Sequence, residues 1–155
     1  VLINRGIRGY KTDLLLGNLD AHLFGPALDK VFILIGTNDI GKEIPQSETL
    51  ENLEGVIQKI SREYPLAQIQ LLSVLPVNEG KEYKGTVYLR TNEKIQDLNR
   101  AYQGLASIYT NVQFIDLYET LLDETGQLDQ EFTTDGLHLT IAGYALLSSE
   151  LDKYL

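Results

Sequence analysis

Continuous apolar runs alternate along this chain with segments whose apolar residues recur every three or four positions. Three long runs have the length and composition of buried strands; they are KVFILIG (30–36), AQIQLLSVLP (67–76) and VQFIDL (112–117). The amphipathic segments between and around them predict helices; these span 12–24, 48–63, 91–108 and 140–155. Strands that alternate with helices form a parallel sheet covered on both sides. We therefore expect an α/β protein with three layers, helix, sheet and helix.

Several local signals refine these boundaries. Thr12 and Thr140 precede helical segments and are candidate N-caps, and Pro65 ends the helix over 48–63. The short apolar run VLIN (1–4) predicts a further buried strand. Residues 77–89, VNEGKEYKGTVYL, form a polar, glycine-containing loop that is longer than a simple connection needs. That loop is therefore a candidate functional edge.

Size and charge narrow the function classes. The chain has 155 residues, of which 43% are hydrophobic and 23% charged, as expected of a single globular domain over 1–155. Its net charge is −9 and it has no cluster of Lys and Arg, so we expect no nucleic-acid partner. No apolar run approaches the roughly 18 residues that a transmembrane helix needs, so we expect no membrane span.

The chain has no cysteine and no methionine. The absence of cysteine excludes disulfides, thiolate metal sites and a cysteine nucleophile. It also fits a reducing cytoplasm, the expected location, although many exported bacterial proteins lack cysteine as well. Because the sequence begins inside an apolar run and without Met, we expect a preceding N-terminal segment. A signal peptide there is neither seen nor excluded.

Polar, glycine-rich motifs follow the predicted strands. NRGIRG (4–9) follows the first run, and GTND (36–39) follows the second. In parallel sheets, ligands bind at the carboxyl ends of the strands, so these motifs should meet at one edge. Each motif alone has an ordinary interpretation as a turn. Likewise Asp135 in TTDGLH could cap the last helix and leave His138 on the surface, and His22 is interpreted as structural or solvated. Together, however, the motifs offer an oriented base and donors for an oxyanion.

These motifs, in this order and roughly this spacing, resemble three of the four signature blocks of the SGNH (GDSL-type) hydrolases. NRGIRG resembles the glycine block, GTND the Gly-x-Asn-Asp block and DGLH the Asp-x-x-His block. The resemblance covers essentially the whole chain and implies the flavodoxin-like α/β/α sheet of that fold. It implies a serine esterase that cleaves a small, short-acyl or acetyl ester through an acyl-enzyme. It implies a small-molecule ester substrate, no cofactor and no metal, and it leaves a homo-oligomer open.

The resemblance also implies roles for individual residues. His138 would be the general base, and Asp135 would accept its Nδ1 proton and fix its tautomer. The backbone N–H of Gly9 and the side-chain amide of Asn38 would be the two oxyanion-hole donors. Asp39 is expected to brace its turn rather than touch substrate.

The fourth block of the family, a Gly-Asp-Ser motif that carries the nucleophile, does not occur in these 155 residues. In the family it follows a central first strand, so the resemblance implies a domain that lacks its first strand and is N-terminally incomplete. Ser73 lies within a predicted strand and is a poor substitute. If the serine is truly missing, the alternative is a catalytically inactive SGNH-like module that binds an ester or carbohydrate. A flavodoxin-like nucleotide or flavin binder shares the architecture but gives GTND and TDGLH no role.

Overall fold

The sheet of this protein is built from three parallel strands in chain order, as described by a computed structural model of residues 2–23, 25 and 27–155. The strands are β1 (Lys30–Ile33), β2 (Gln68–Leu72) and β3 (Val112–Ile115). β2 is central: it pairs with β1 on one side and with β3 on the other. The predicted parallel α/β architecture is confirmed.

Helices supply the connections between the strands. They are α1 (Thr12–Gly17), α2 (Leu19–His22), α3 (Thr37–Gly41), α4 (Gln46–Glu63), α5 (Lys84–Val87), α6 (Asn92–Ile108) and α7 (Ile141–Leu151). Short 3₁₀ turns lie at Lys81–Tyr83, Glu119–Leu121, Gln130–Phe132 and Asp152–Tyr154. The long crossovers α4 and α6 match the predicted helices closely because their apolar positions repeat over four turns or more.

Two apolar clusters lie on opposite faces of the sheet. On one face α4 and α6 bury their apolar stripes against alternate residues of β2, including the fully buried Ile69 and Leu71. On the other face α7 contributes Leu147, which packs with Leu72 and Ile115. Residues of β2 alternate between the two clusters, with Ile69 and Leu71 on one face and Leu72 on the other. These clusters form the three expected layers.

The predicted helix over 12–24 is wrong in two respects. The helix is interrupted at Asn18, and its second part ends at His22; Phe24 lies outside the described residues. Thr12 is the first helical residue and not the N-cap, and its side chain is buried. The reason is a distant carboxylate: Asp39 accepts hydrogen bonds from the N–H and the hydroxyl of Thr12, at 3.0 and 2.6 Å. Asp39 therefore satisfies the start of α1 from another part of the chain.

The predicted buried strand at VLIN is also wrong for its described residues 2–4. Leu2 and Ile3 are 76% and 60% exposed, and neither belongs to a strand; Val1 lies outside the described residues. A strand needs a neighbour for its ladder of hydrogen bonds, and none of the three described strands pairs with residues 2–4.

The strands end earlier than their apolar runs. β2 stops at Leu72 because side-chain amides then replace strand partners: Asn99 binds both backbone groups of Val74, and Asn92 binds those of Val77. The predicted N-cap of the last helix is correct, since the Thr140 hydroxyl accepts the N–H of Gly143 at 3.2 Å. The contacts of Asn92 and Asn99 anchor the segment after β2.

Candidate active site

Asp135 and His138 lie side by side in the segment that leads into α7. Nδ1 of His138 is 2.6 Å from Oδ2 of Asp135. The other carboxylate oxygen, Oδ1, accepts the backbone N–H groups of Leu137 and His138, at 2.9 and 2.8 Å. Oδ1 also lies 3.5 Å from the hydroxyl oxygen of Thr133. Oδ2 therefore contacts the imidazole, while Oδ1 holds the carboxylate to its own turn.

The charge of Asp135 determines which ring nitrogen of His138 carries the proton. Partial burial acts to raise the pKa of this carboxyl, but hydrogen bonds from the His138 ring and the two backbone N–H groups outweigh it and lower the pKa to about 2. The group is therefore a carboxylate at neutral pH and can only accept a hydrogen bond. In the neutral imidazole, Nδ1 of His138 must therefore carry the proton, which leaves the lone pair of Nε2 available on a half-exposed ring.

The local sequence explains this geometry. Gly136 adopts φ +84°, and a Cβ there would lie 2.6 Å from Cβ of Tyr83, so only glycine fits the close approach. The Thr133 hydroxyl accepts the N–H of Gly136 at 2.9 Å and donates to the carbonyl of His138 at 2.7 Å. TTDGLH is therefore a closed turn that presents the His138 ring.

The GTND motif forms the turn from β1 into α3. Gly36 has φ +130°, and a Cβ there would lie 2.5 Å from the hydroxyl of Tyr102, which itself donates to the Ile35 carbonyl. Asn38 follows this turn, and its Nδ2 donates to the carbonyl of Tyr10 at 3.0 Å. The side-chain amide therefore reaches the end of the glycine block, where Gly9 lies exposed with φ +82°. The structure brings Asn38 and the Gly9 turn together.

Asp39 faces inward, as expected of a residue that braces the turn. Its Oδ2 accepts the hydroxyls of Thr12 and Thr49, and its side chain is buried. His22 lies nearby on α2, where its ring packs edge-on to the Tyr10 ring and its Nε2 is 3.3 Å from the Tyr10 hydroxyl. Of the two predicted roles for His22, structural or solvated, this packing favours the structural one.

The segment after β2, predicted as a long polar loop, contacts both the TTDGLH turn and the GTND turn. Asn78 donates its N–H to the carbonyl of Gly136 at 2.9 Å, and Val87 packs against the same glycine. Three residues after Val87, Arg90 donates from Nη2 to Oδ1 of Asn38 at 2.8 Å. Sequence reasoning missed Arg90, because a lone arginine in a polar stretch carries no pattern that distinguishes it from a solvated side chain.

Ser73 does not face this edge. It is fully buried, and its hydroxyl oxygen accepts the N–H of Leu117 at 2.8 Å. The hydroxyl therefore serves to join the ends of β2 and β3, which agrees with its low promise as a nucleophile.

Two surface depressions lie elsewhere in the fold. One, of about 280 Å³, is lined by residues of α3, α4 and α6, and the other, of about 720 Å³, lies between Leu16 and α4. Neither is lined by Asp135, His138 or Asn38. The described part of the chain has no group of three or more His, Cys, Asp or Glu side chains arranged to hold a metal ion. None of its helices is both long and apolar enough to cross a membrane.

Comparison with known proteins decides the family. The family model of the GDSL-like lipases and acylhydrolases matches residues 1–146. This chain belongs to that family.

Two curated proteins are similar to this chain in sequence. The isoamyl acetate-hydrolyzing esterase of Saccharomyces cerevisiae is 29% identical over 99% of this chain and 68% of its own length. The N-acylneuraminate cytidylyltransferase of Escherichia coli O18:K1:H7 is 34% identical over 78% of this chain. The chain spans only 27% of that second protein.

Solved structures agree with the family assignment. One is described as a platelet activating factor from Streptococcus pneumonia. It is 61% identical to this chain with a TM-score of 0.96, and the match covers 98% of this chain and 71% of the other. A GDSL-like lipase from Bacteroides thetaiotaomicron is 25% identical with a TM-score of 0.80, over 98% of this chain and 74% of its own. The motifs therefore lie in the GDSL acylhydrolase fold.

Proposed function

We propose that this chain supplies the base and the oxyanion-binding groups of a serine esterase that cleaves a small ester, with a short acyl or acetyl group, through an acyl-enzyme. The observation that carries the proposal is the 2.6 Å contact between His138 Nδ1 and the Asp135 carboxylate. A carboxylate that fixes the Nδ1–H tautomer leaves Nε2 free to take a proton from a nucleophile. Membership of the GDSL family and the yeast relative that hydrolyses isoamyl acetate support the choice of an ester.

The first half of the reaction would form the acyl-enzyme. The nucleophile would be the serine of a Gly-Asp-Ser block, which these 155 residues do not contain. Nε2 of His138 takes the hydroxyl proton as the serine oxygen attacks the ester carbonyl, and Asp135 stabilises the resulting imidazolium. The carbonyl oxygen becomes an oxyanion that the Gly9 N–H and the Asn38 amide would bind. The C–O bond then breaks, and the imidazolium gives its proton to the leaving alcohol.

The second half repeats the same steps with water. Nε2 of His138 takes a proton from a water molecule, whose oxygen attacks the acyl carbonyl. The same two donors bind the second oxyanion, and the serine oxygen leaves as it regains the proton. Removing one donor of this kind typically costs about 3–4 kcal/mol of transition-state stabilisation. Asn38 and Gly9 would therefore contribute chiefly to kcat.

The second candidate is an SGNH-like module that binds an ester or carbohydrate without cleaving it. It would apply if the protein has no Gly-Asp-Ser block outside these 155 residues, which themselves contain none. Against it stands the oriented Asp135–His138 pair, for which a binding protein has no evident use. A cytoplasmic location, suggested by the lack of cysteine, stays a prediction.

Hydrolysis of p-nitrophenyl acetate by the natural full-length protein and its His138→Ala variant tests the proposal. We expect turnover by the wild type and a loss of at least about 10³-fold in kcat for His138→Ala. His22→Gln, which removes the other histidine of the chain, is the control and should keep its activity. Full activity of His138→Ala would exclude the mechanism, and saturable binding of the ester without hydrolysis would favour the binding module.

A further inference from the structure

Arg90 occupies an unusual position next to the candidate oxyanion hole. Its Nε donates to the carbonyl and the hydroxyl of Thr37, at 3.0 and 3.1 Å, and its Nη1 lies 3.3 Å from the carbonyls of Thr86 and Val87. Its Nη2 donates to Oδ1 of Asn38 at 2.8 Å. The guanidinium therefore joins the end of α5 to the GTND turn through five neutral oxygens.

No neighbour among the described residues neutralises the charge of this guanidinium. Among the described residues, no carboxylate lies within 4.0 Å of it as an ion-pair partner. Partial burial lowers the pKa of Arg90, but a guanidinium keeps its proton throughout the neutral range. Its positive charge therefore polarises the Asn38 amide to which it donates, and a polarised amide is a stronger N–H donor.

Two partners fix the orientation of the Asn38 amide, because one can only donate hydrogen bonds and the other can only accept them. A guanidinium has only donors, so it can bind only the amide oxygen. The Tyr10 carbonyl is only an acceptor, so it can bind only the amide nitrogen, at 3.0 Å. Nδ2 carries two hydrogens, and the Tyr10 carbonyl takes one of them. The other hydrogen is then held in one direction by the plane of the amide.

We propose that Arg90 is a positioning residue of the oxyanion hole, whose guanidinium holds and polarises the Asn38 amide so that its second Nδ2–H faces the developing oxyanion. The inference rests on the proposed role of Asn38 as an oxyanion donor. Arg90 itself does not touch substrate in this scheme. Its contribution should therefore disappear when the Asn38 amide is removed.

The backbone on both sides of Arg90 is shaped to place it. Gly41 lies on α3 under the guanidinium, and a Cβ there would lie 2.7 Å from Cζ of Arg90 and 2.8 and 2.9 Å from its two Nη atoms. The preceding turn is closed by the N–H of Arg90 and the carbonyl of Val87, at 3.1 Å. Within that turn Tyr88 adopts φ 56° and ψ −114°, which favours glycine. The arginine is thus held tightly between a strained turn and a glycine.

Gly41→Ala offers a second way to disturb Arg90 without removing its charge. Since Gly41 is helical and does not have a positive φ, alanine suits its backbone and should not weaken α3. The new methyl group would displace the end of the arginine side chain. A loss of kcat without a loss of thermal stability would then report the position of the guanidinium and not the integrity of the fold.

The experiment measures kcat, KM and thermal unfolding of the natural full-length protein with p-nitrophenyl acetate. Asn38→Ala sets the ceiling, a fall of about 10²–10³-fold in kcat. Arg90→Met and Gly41→Ala should each lower kcat by roughly 10- to 100-fold with little change in KM. Arg100→Met is the matched control, because Arg100 is an exposed arginine that pairs with Asp97 on α6, and it should behave as wild type.

Two further readouts separate positioning from a structural role. In the Asn38→Ala background, Arg90→Met should cause almost no additional loss of kcat, since both changes remove the same oriented donor. Added guanidinium ion at concentrations below those that unfold the protein should restore part of the activity of Arg90→Met and none of that of Asn38→Ala.

Each remaining outcome overturns a defined part of the argument. Normal kcat in both Arg90→Met and Gly41→Ala, with Asn38→Ala impaired, would overturn the positioning role and leave the oxyanion role of Asn38 intact. Normal kcat in Asn38→Ala would instead remove that part of the proposed function on which the inference rests. Independent, multiplicative losses in the double variant would show that Arg90 acts on the fold and not through Asn38.

Discussion

The substitution Asp135→Asn tests the catalytic pair with the least change of shape. Oδ1 of Asp135 accepts two backbone N–H groups, from Leu137 and His138, at 2.9 and 2.8 Å. In the variant these donors can be satisfied only by the new amide oxygen, which must therefore stay on their side. The amide NH₂ group then replaces Oδ2 and faces Nδ1 of His138.

This orientation reverses the tautomer of the imidazole. A donor that faces Nδ1 requires Nδ1 to accept, so the neutral ring carries its proton on Nε2. Nε2 is then blocked as a general base although every heavy atom keeps its place. A serine hydrolase whose orienting Asp becomes Asn loses about 10⁴ in kcat, which corresponds to about 5 kcal/mol of barrier height. We expect a loss of that size here, with little change in KM.

The assay is initial-rate hydrolysis of p-nitrophenyl acetate by the natural full-length protein, with thermal unfolding measured in parallel. Asp129→Asn is the control, because the Asp129 carboxylate accepts the Glu131 N–H at 2.9 Å and serves a local turn. The control should retain its activity, and both variants should remain folded. A kcat for Asp135→Asn within about tenfold of the wild type would refute the tautomer argument.

Three further predictions concern the framework of the site. Gly136→Ala should lower the free energy of unfolding, measured by urea denaturation, by about 3 kcal/mol. Gly126 has nearly the same positive φ but no atom within 4 Å of the new Cβ, so Gly126→Ala should cost only about 1 kcal/mol. Equal losses in the two variants would contradict the packing argument. Asp39→Ala should lower the free energy of unfolding by about 3 kcal/mol in the same assay, because the buried hydroxyl of Thr12 loses its acceptor. A loss below about 1 kcal/mol would show that water replaces the carboxylate. The folded pKa of Asp135, about 2 against an ordinary 3.8, means that its contribution to stability is complete above about pH 5 and disappears as the pH falls through 2. Since this side chain is 33% exposed, we expect that contribution to be only about 1 kcal/mol. Asp135→Asn should abolish it. If the variant loses as much stability as the wild type between pH 5 and pH 2, this prediction is wrong.

The sequence predicted those parts of the fold that depend on local periodicity. The helix over 48–63 appears as α4 at 46–63 because its apolar spacing can bury only one face, and that face must pack on the sheet. The parallel arrangement followed from apolar strands separated by helices, and it is confirmed. The strand ends were predicted too late, since Asn92 and Asn99 take over the hydrogen bonds of the backbone after β2.

Errors arose where a segment depends on something distant. Leu2 and Ile3 are as apolar as the residues of a buried strand, but apolar side chains do not provide the neighbouring strand to which a strand must hydrogen-bond. Thr12 looked like an N-cap because its residue type and position are typical of one. The acceptor at that helix start is instead Asp39, which is 27 residues away in the chain.

The candidate site also combines contacts that are local in sequence with contacts between distant residues. The sequence alone determined the Asp135–His138 pair, because three residues of a closed turn bring the two side chains within hydrogen-bond distance through local geometry. Only the tertiary structure decided how Asn38 is held. Its two amide partners lie 28 residues before it and 52 after it, and hydrogen bonds of that range depend on how helices pack on the sheet and not on any local pattern.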